Sequence, residues 1–281
     1  MLSLFSEMFS YVFIQRAVIV GLLVALCASL LGVSLVLKRY SMIGDGLSHV
    51  GFGALAVSTA MGTAPLAVSI PVVVVAAFLL LRISESSKIK GDAAIAIIST
   101  GSLAVGVIVI SMTSGMNTDV CNYLFGSILA MSKGDVYLSV AVSIVVIILF
   151  VFFYHRIFAV TFDENFAKAT GTRAGLYNML IALLTALTIV LGMRLCGALL
   201  ISGLIIFPSL SAMRISGNFK GVIIISAIIS LVCFFAGVVF SYAYITPAGA
   251  SAPTGASVVA VNIIVFLLLS IAGRLKGVFS K

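Results

Sequence analysis

Long apolar stretches dominate this sequence and leave few folds open to it. Nine of them can be drawn, each close to the length of about 20 residues that a helix needs to cross the hydrocarbon core of a bilayer. They cover residues 17–37, 44–62, 66–82, 93–112, 136–155, 175–193, 195–213, 221–243 and 255–273. Because backbone amides in lipid must be bonded within the protein, the pattern predicts an all-α fold, a polytopic membrane helical bundle.

The number of spans is predicted to be eight or nine. The sixth and seventh stretches are separated only by the region around Arg194, so the lower count stays open. The whole chain, residues 1–281, is predicted to form a single transmembrane domain. Composition agrees, since 62% of the residues are apolar and only 9% are charged, against about a quarter charged in a soluble domain. This excludes a soluble enzyme, a disordered chain and a nucleic-acid binder.

The basic residues predict the orientation in the membrane. If the N-terminus faces outward, only Arg16, Lys133 and Arg194 of the 16 Lys and Arg residues fall in outer connections. Such an inner excess is the positive-inside pattern of an integral membrane protein. It favours an odd number of spans with the C-terminus inside, and it explains the net charge of +8 without a nucleic-acid partner.

One polar motif interrupts the apolar stretches, the sequence GDGLSHVGFG at residues 44–53. Asp45 and His49 are four residues apart, so on a helix they share one face. A carboxylate and an imidazole together suit a divalent transition metal, and an ionisable group inside a membrane predicts a functional site. The alternative is an N-capping Asp45 beside a hydrogen-bonded histidine at the interface. The pair supplies only two ligands, so a second copy across a two-fold axis is the simplest route to a full site.

A short amphipathic helix is predicted on the inner side, within FDENFAKATG at residues 162–171. Asp163 and Glu164 open it, Lys168 lies four residues after Glu164, and Gly171 closes it. Two interpretations stay open from these residues alone. The segment is either a solvated connection between spans or a docking element for a cytosolic partner.

Other signals are weaker or negative. The connection from residue 113 to 135 contains an apolar piece, 119–129, that is too short to span and predicts a short or re-entrant helix. No GxxxxGK[ST], HExxH or GxSxG motif occurs, so neither a phosphate-binding loop nor a hydrolase signature is present. The chain is therefore not expected to be an enzyme, and any ATP that drives it must be hydrolysed by another polypeptide.

Four stretches resemble the membrane permease subunits of zinc/manganese/iron ABC importers. They are MIGDGLSH at 42–49, GDAAIAI at 91–97, NYLFGSIL at 122–129 and FDENFAKATG at 162–171. They stand in family order along nearly the whole chain. The first and the last are the most specific.

The resemblance implies a multi-pass permease of the bacterial cytoplasmic membrane that moves Mn2+, Zn2+ or Fe2+ inward by alternating access, with no covalently bound cofactor. It implies a homodimer in lipid, two cytosolic ABC ATPase subunits and an extracellular or periplasmic metal-binding protein. Asp45 and His49 match the residues that hold the metal in this family. The element matching the ATPase-coupling helix contains Asp163, Glu164, Phe166, Ala167 and Gly171.

Two other functions remain as alternatives. The first is an ATP-independent secondary transporter or channel, although no convincing internal repeat of the kind common in such carriers occurs. The second is a membrane-embedded enzyme with Asp45 and His49 as acid and base. This second alternative lacks a clear nucleophile or further ligands.

Overall fold

The computed structural model describes residues 8–86, 91–113, 133–244 and 252–279, and in these ranges it contains helices and no strand. The all-α prediction is confirmed. The expected short helix at 119–129 and the motif at 122–129 lie outside the described residues. The helices are α1 Val12–Leu37, α2 Ile43–Ala60, α3 Pro65–Ser86, α4 Gly91–Thr113, α5 Lys133–Phe152, α6 Tyr154–Phe162, α7 Glu164–Ala169, α8 Ala174–Met213, α9 Phe219–Ala243 and α10 Thr254–Phe279.

Seven of the described helical segments are long and apolar enough to cross a membrane. They lie in α1, α3, α4, α5, the Ala174–Met193 half of α8, α9 and α10. The other half of α8, Gly197–Met213, is apolar but shorter. Helix α2 has 18 residues and carries the Asp45–His49 pair, and it is not among the seven. A multi-pass helical bundle is thus confirmed, while the count of eight or nine spans stays a prediction.

The chain folds back on itself within α8. A side chain on Gly192 would collide with Cδ1 of Ile201, although in a continuous helix these two residues would lie about 13.5 Å apart along the axis. The reversal occurs near Gly197, which has φ 82° and ψ 163°. That conformation is essentially restricted to glycine. The sixth and seventh apolar stretches are therefore separate helical segments that pack against each other.

Helix α1 is the most deeply buried of the seven candidate spans and packs against α5, α6, α8 and α9. Polar side chains join it to its neighbours. The hydroxyl of Ser230 donates to the Ala25 carbonyl at 2.9 Å, and that of Ser226 to the Ser29 carbonyl at 3.4 Å. Such hydrogen bonds and small residues are typical of helix contacts in lipid, where burial of apolar surface gives no driving force. Helix α1 is therefore the fixed centre of the bundle.

The backbone at Gly197 generates the first prediction. Gly197→Ala should lower the free energy of unfolding by about 1–3 kcal/mol, because alanine is strained in this conformation. Gly101→Ala in α4 is the matched control, since its new methyl group meets nothing within 4 Å. The chain has no Trp, so the measurement is the fraction that stays monodisperse in detergent after heating. If both variants keep the same monodisperse fraction after heating, alanine is not strained at position 197 and the prediction is wrong.

Candidate functional site

Helix α2 is held between α4 and α8 by glycines on two of its faces. Toward α4, a Cβ on Gly46 would lie 2.6 Å from Cγ2 of Ile95, and one on Gly53 would lie 2.7 Å from the carbonyl oxygen of Ser102. Real Cβ atoms do not approach other atoms so closely, so each position requires glycine. The GDGLSHVGFG motif therefore brings the backbones of α2 and α4 together.

The opposite glycine face of α2 packs on α8. A Cβ on Gly44 would lie 2.9 Å from Cδ1 of Ile205, and one on Gly51 would lie 2.8 Å from Cε of Met193. Gly44 thus meets the segment after the reversal of α8, and Gly51 meets the segment before it. Helix α2 consequently contacts both arms of the α8 hairpin.

Asp45 and His49 lie on the same face of α2, as their spacing predicts. Their nearest polar atoms, Oδ2 of Asp45 and Nε2 of His49, are 3.6 Å apart. This is too long for a hydrogen bond, so neither group is held by the other. The Asp45 side chain is 43% exposed and the His49 side chain 19% exposed. The Asp45 carboxylate is therefore accessible, and the His49 imidazole beside it is more deeply buried.

The second ring nitrogen of His49 is unusual. Nδ1 is buried and has no hydrogen-bond partner among the described residues. An unpaired buried polar atom costs about 1–3 kcal/mol and calls for an explanation. The other unpaired buried side-chain atoms in the described part of the chain are neutral oxygens, those of Ser34, Thr161, Ser211, Asn262 and Ser270. Only His49 combines an unpaired imidazole nitrogen with a neighbouring carboxylate.

The N-capping part of the non-metal interpretation is wrong. The N-cap of α2 is Met42 rather than Asp45, and no side-chain cap hydrogen bond is formed there. Within the described residues no group of three or more His, Cys, Asp and Glu side chains occurs that could hold a metal. The pair therefore has no third candidate ligand beside it among the described residues.

The pair lies inside the bundle rather than at its end. Gly32 of α1 and Gly44 of α2 both pack against Ile205, and Lys38 follows Gly32 by roughly 9 Å along the axis of α1. After Lys38 the chain reverses through Arg39, which has φ 62°, and the amide of Tyr40 donates to the Leu35 carbonyl at 2.8 Å. The first turn of α2 therefore lies deeper in the bundle than Lys38.

The predicted inner helix is present as α7, and residues of the chain itself form its N-cap and its C-terminal turn. Oδ1 of Asp163 accepts the amide of Phe166 at 2.9 Å, a regular N-cap. Gly171 ends the turn with φ 81°, a left-handed conformation that favours glycine. Ala167 is fully buried in a small cluster with Val160 and Ala174. Asp163, Ala167 and Gly171 therefore shape the element rather than present a surface.

The remaining two residues of the predicted coupling set face in opposite directions. Phe166 is 65% exposed. Glu164 turns toward the bundle, where its carboxylate accepts from Asn178 at 3.0 Å and from Lys168 at 2.7 Å and lies 3.8 Å from Lys38. Partial burial would raise the pKa of Glu164, but these hydrogen bonds and the charges of both lysines outweigh it and lower the pKa. Phe166 alone of the five projects an apolar side chain outward.

Sequence reasoning missed Lys38 and Asn178. The contact of Lys38 with Glu164 brings the α1–α2 connection and α7 to the same end of the bundle, hereafter the coupling end. Asn178 is the amide side chain nearest the start of α8, and its position inside an apolar stretch was the one available signal. The partners of Asn178 and Lys38 cannot be predicted from the spacing of residues in the sequence, because these contacts join distant parts of the chain.

Comparison with known proteins decides the class. The model of the ABC 3 transport family matches residues 10–273, a range that includes Asp45, His49 and α7. The chain belongs to the ABC 3 transport family. It is therefore a multi-pass membrane permease and not an enzyme, and ATP hydrolysis belongs to a separate subunit. Family membership decides against the secondary carrier and the membrane-embedded enzyme.

Relatives in this family extend over nearly the same length. The manganese transport system membrane protein MntC of Halalkalibacterium halodurans is 26% identical over 99% of this chain and 93% of its own. The high-affinity zinc uptake system membrane protein ZnuB of Buchnera aphidicola is 32% identical over 82% of this chain and 88% of its own. The solved structure of PsaBC from Streptococcus pneumoniae in complex with Fab superposes with a TM-score of 0.83 at 28% identity, covering 95% and 94% of the two chains.

Proposed function

We propose that this permease imports Mn2+ or Zn2+ as a homodimer, driven by two cytosolic ATPase subunits and supplied by an extracellular or periplasmic metal-binding protein. The manganese and zinc systems named among its relatives support a divalent cargo. Transport of Fe2+ rests on the resemblance of the motifs alone. Asp45 and His49 hold the ion while the two chains alternate between outward and inward access.

The single observation that carries this proposal is the approach of Nε2 of His49 to Oδ2 of the exposed Asp45 carboxylate, 3.6 Å apart and not hydrogen-bonded to each other. Such a metal takes about four to six ligands, and nitrogen and oxygen donors suit both Mn2+ and Zn2+. Two copies of the pair across a dimer axis supply four donors. A transport site must load readily and still release its ion, which favours a sparse ligand set of this kind.

Removal of either ligand tests the metal site. In proteoliposomes that contain the permease and its ATPase, Asp45→Asn and His49→Ala should each lower uptake of radiolabelled Mn2+ or Zn2+ by at least about tenfold, since the first replaces two carboxylates of the dimer by neutral amides and the second removes two imidazoles. Ser48→Ala is the matched control on the same helix. Its hydroxyl donates to the Gly44 carbonyl of α2 at 2.7 Å and is not part of the pair. Normal uptake by both ligand variants would place the metal path elsewhere.

We also propose that α7 docks in the ATPase, with Phe166 as its anchor. Its side chain is 65% exposed on a short helix that also carries Asn165 and Lys168. An exposed aromatic side chain is typical of an anchor that fills a pocket on a partner. The capped and buried residues of α7 keep this side chain in place.

The docking proposal predicts the effect of Phe166→Ala. Loss of a central aromatic anchor costs about 2 kcal/mol or more, so the affinity for the ATPase should fall by about thirtyfold. Gly171→Val should weaken it as well, because a β-branched residue is strained at φ 81°. Asn165→Ala, at an exposed position of the same helix, serves as control. Affinity is measured by titrating the ATPase onto immobilised permease, and unchanged binding of Phe166→Ala would exclude it as an anchor.

A further inference from the structure

A buried lysine connects α7 to the helices that form the metal site. We propose that Lys38 and Asn178 are positioning residues that fasten α7 to α1 and α8, so that movement of α7 during ATP turnover reaches Asp45. This inference rests on the proposed function. It assigns a role in transport to two residues that touch neither the metal nor the ATPase.

The contacts of Lys38 support this role. Its side chain is only 11% exposed, and Nζ donates to Oδ1 of Asn178 and lies 3.8 Å from Oε2 of Glu164. Nδ2 of Asn178 in turn donates to the same Glu164 oxygen at 3.0 Å. A buried ammonium group requires partners of this kind, since leaving it unpaired is strongly unfavourable. Asn178 therefore bridges the lysine and the carboxylate, and the three residues form one polar cluster.

The three residues come from three different helices. Lys38 is the C-cap of α1, Glu164 is the first residue of α7, and Asn178 lies near the start of α8. Helix α7 has only six residues, and its other contact with the bundle is the small cluster around Ala167. The polar cluster is thus a direct contact of α7 with both α1 and α8, in addition to the packing of Ala167 against Ala174 of α8.

The paths from Lys38 along the chain and from Asn178 along α8 both lead to α2. From Lys38, the tight turn closed by the Tyr40 and Ile43 amides leads directly into the first turn of α2, which contains Asp45. From Asn178, the first segment of α8 extends to Met193, which packs against Gly51 of α2. A displacement of Glu164 therefore reaches α2 at two places, its first turn and its middle.

Lys168 provides a matched control within the molecule. It pairs with the same carboxylate at 2.7 Å, but it lies on α7 itself and is 57% exposed. Removing Lys168 therefore deletes a salt bridge to Glu164 within α7, while Lys38 and Asn178 remain to contact Glu164 from the other helices. A difference between Lys38→Met and Lys168→Met separates transmission from a general need for charge beside Glu164.

The experiment measures metal uptake and ATP hydrolysis together in proteoliposomes that contain the permease–ATPase complex. Lys38→Met and Asn178→Leu should lower the number of metal ions moved per ATP by about tenfold, within the range for residues along a coupling network. Lys168→Met should keep the wild-type ratio, and Lys38→Arg should recover part of it. The ratio is measured on complexes isolated with both subunits bound, so that undocked ATPase does not contribute to the hydrolysis.

A double variant keeps the test decisive if Lys38→Met does not fold. Lys38→Met with Glu164→Gln removes both charges together, which buried pairs tolerate far better than loss of one partner. This variant should assemble and hydrolyse ATP but move metal at the reduced ratio. A wild-type ratio for it, or equal ratios for Lys38→Met and Lys168→Met, overturns the inference. Absence of ATP-driven metal uptake by the wild-type complex would instead refute the proposed function.

Discussion

The hydrocarbon core of the bilayer is the constraint on which the rest of this structure depends. In that environment a polar group must find a partner within the protein, and most side chains here do so. The hydroxyl of Ser209 donates to the carbonyl of Ile205 at 2.9 Å, and that of Ser230 to the carbonyl of Ala25. The first of these bonds lies within α8, and the second joins α9 to α1. His49 breaks the pattern, and its unpaired nitrogen is for that reason more informative than any other buried polar atom in the described helices.

The same constraint explains why so few residues connect the coupling end to the metal site. Charged groups are rare in the chain, so a strong, directional link between helices can be made at only a few points. Lys38 and Lys168 both contact the Glu164 carboxylate, each at a different oxygen. The buried one joins α7 to α1, and the exposed one lies on α7 and is screened by solvent. Burial, rather than distance, decides which of the two contacts can transmit movement.

Much of the fold follows from the sequence, because long apolar runs have a single structural solution in lipid. The spacing of Asp45 and His49 fixed them on one face of α2, and the turn chemistry of Asp163 and Gly171 predicted α7. The reversal at Gly197 was visible only as a weak boundary, since no Pro or run of charge marks it. The inward orientation of Glu164 and its contact with Lys38 depend on tertiary packing, which brings together residues more than a hundred positions apart in the chain. No local pattern encodes such a contact.

The chemistry of the site also bears on the choice of metal. Two carboxylates and two imidazoles, the set that a dimer would supply, are acceptable ligands for both Mn2+ and Zn2+, and the general affinity order places Mn2+ below Zn2+. A site of this composition cannot reject Zn2+ in favour of Mn2+ by affinity alone. If the cargo is Mn2+, selection must come from the geometry imposed by α2 and its neighbours or from the protein that delivers the ion. The glycine faces that fix α2 between α4 and α8 then set where Asp45 and His49 lie within each chain.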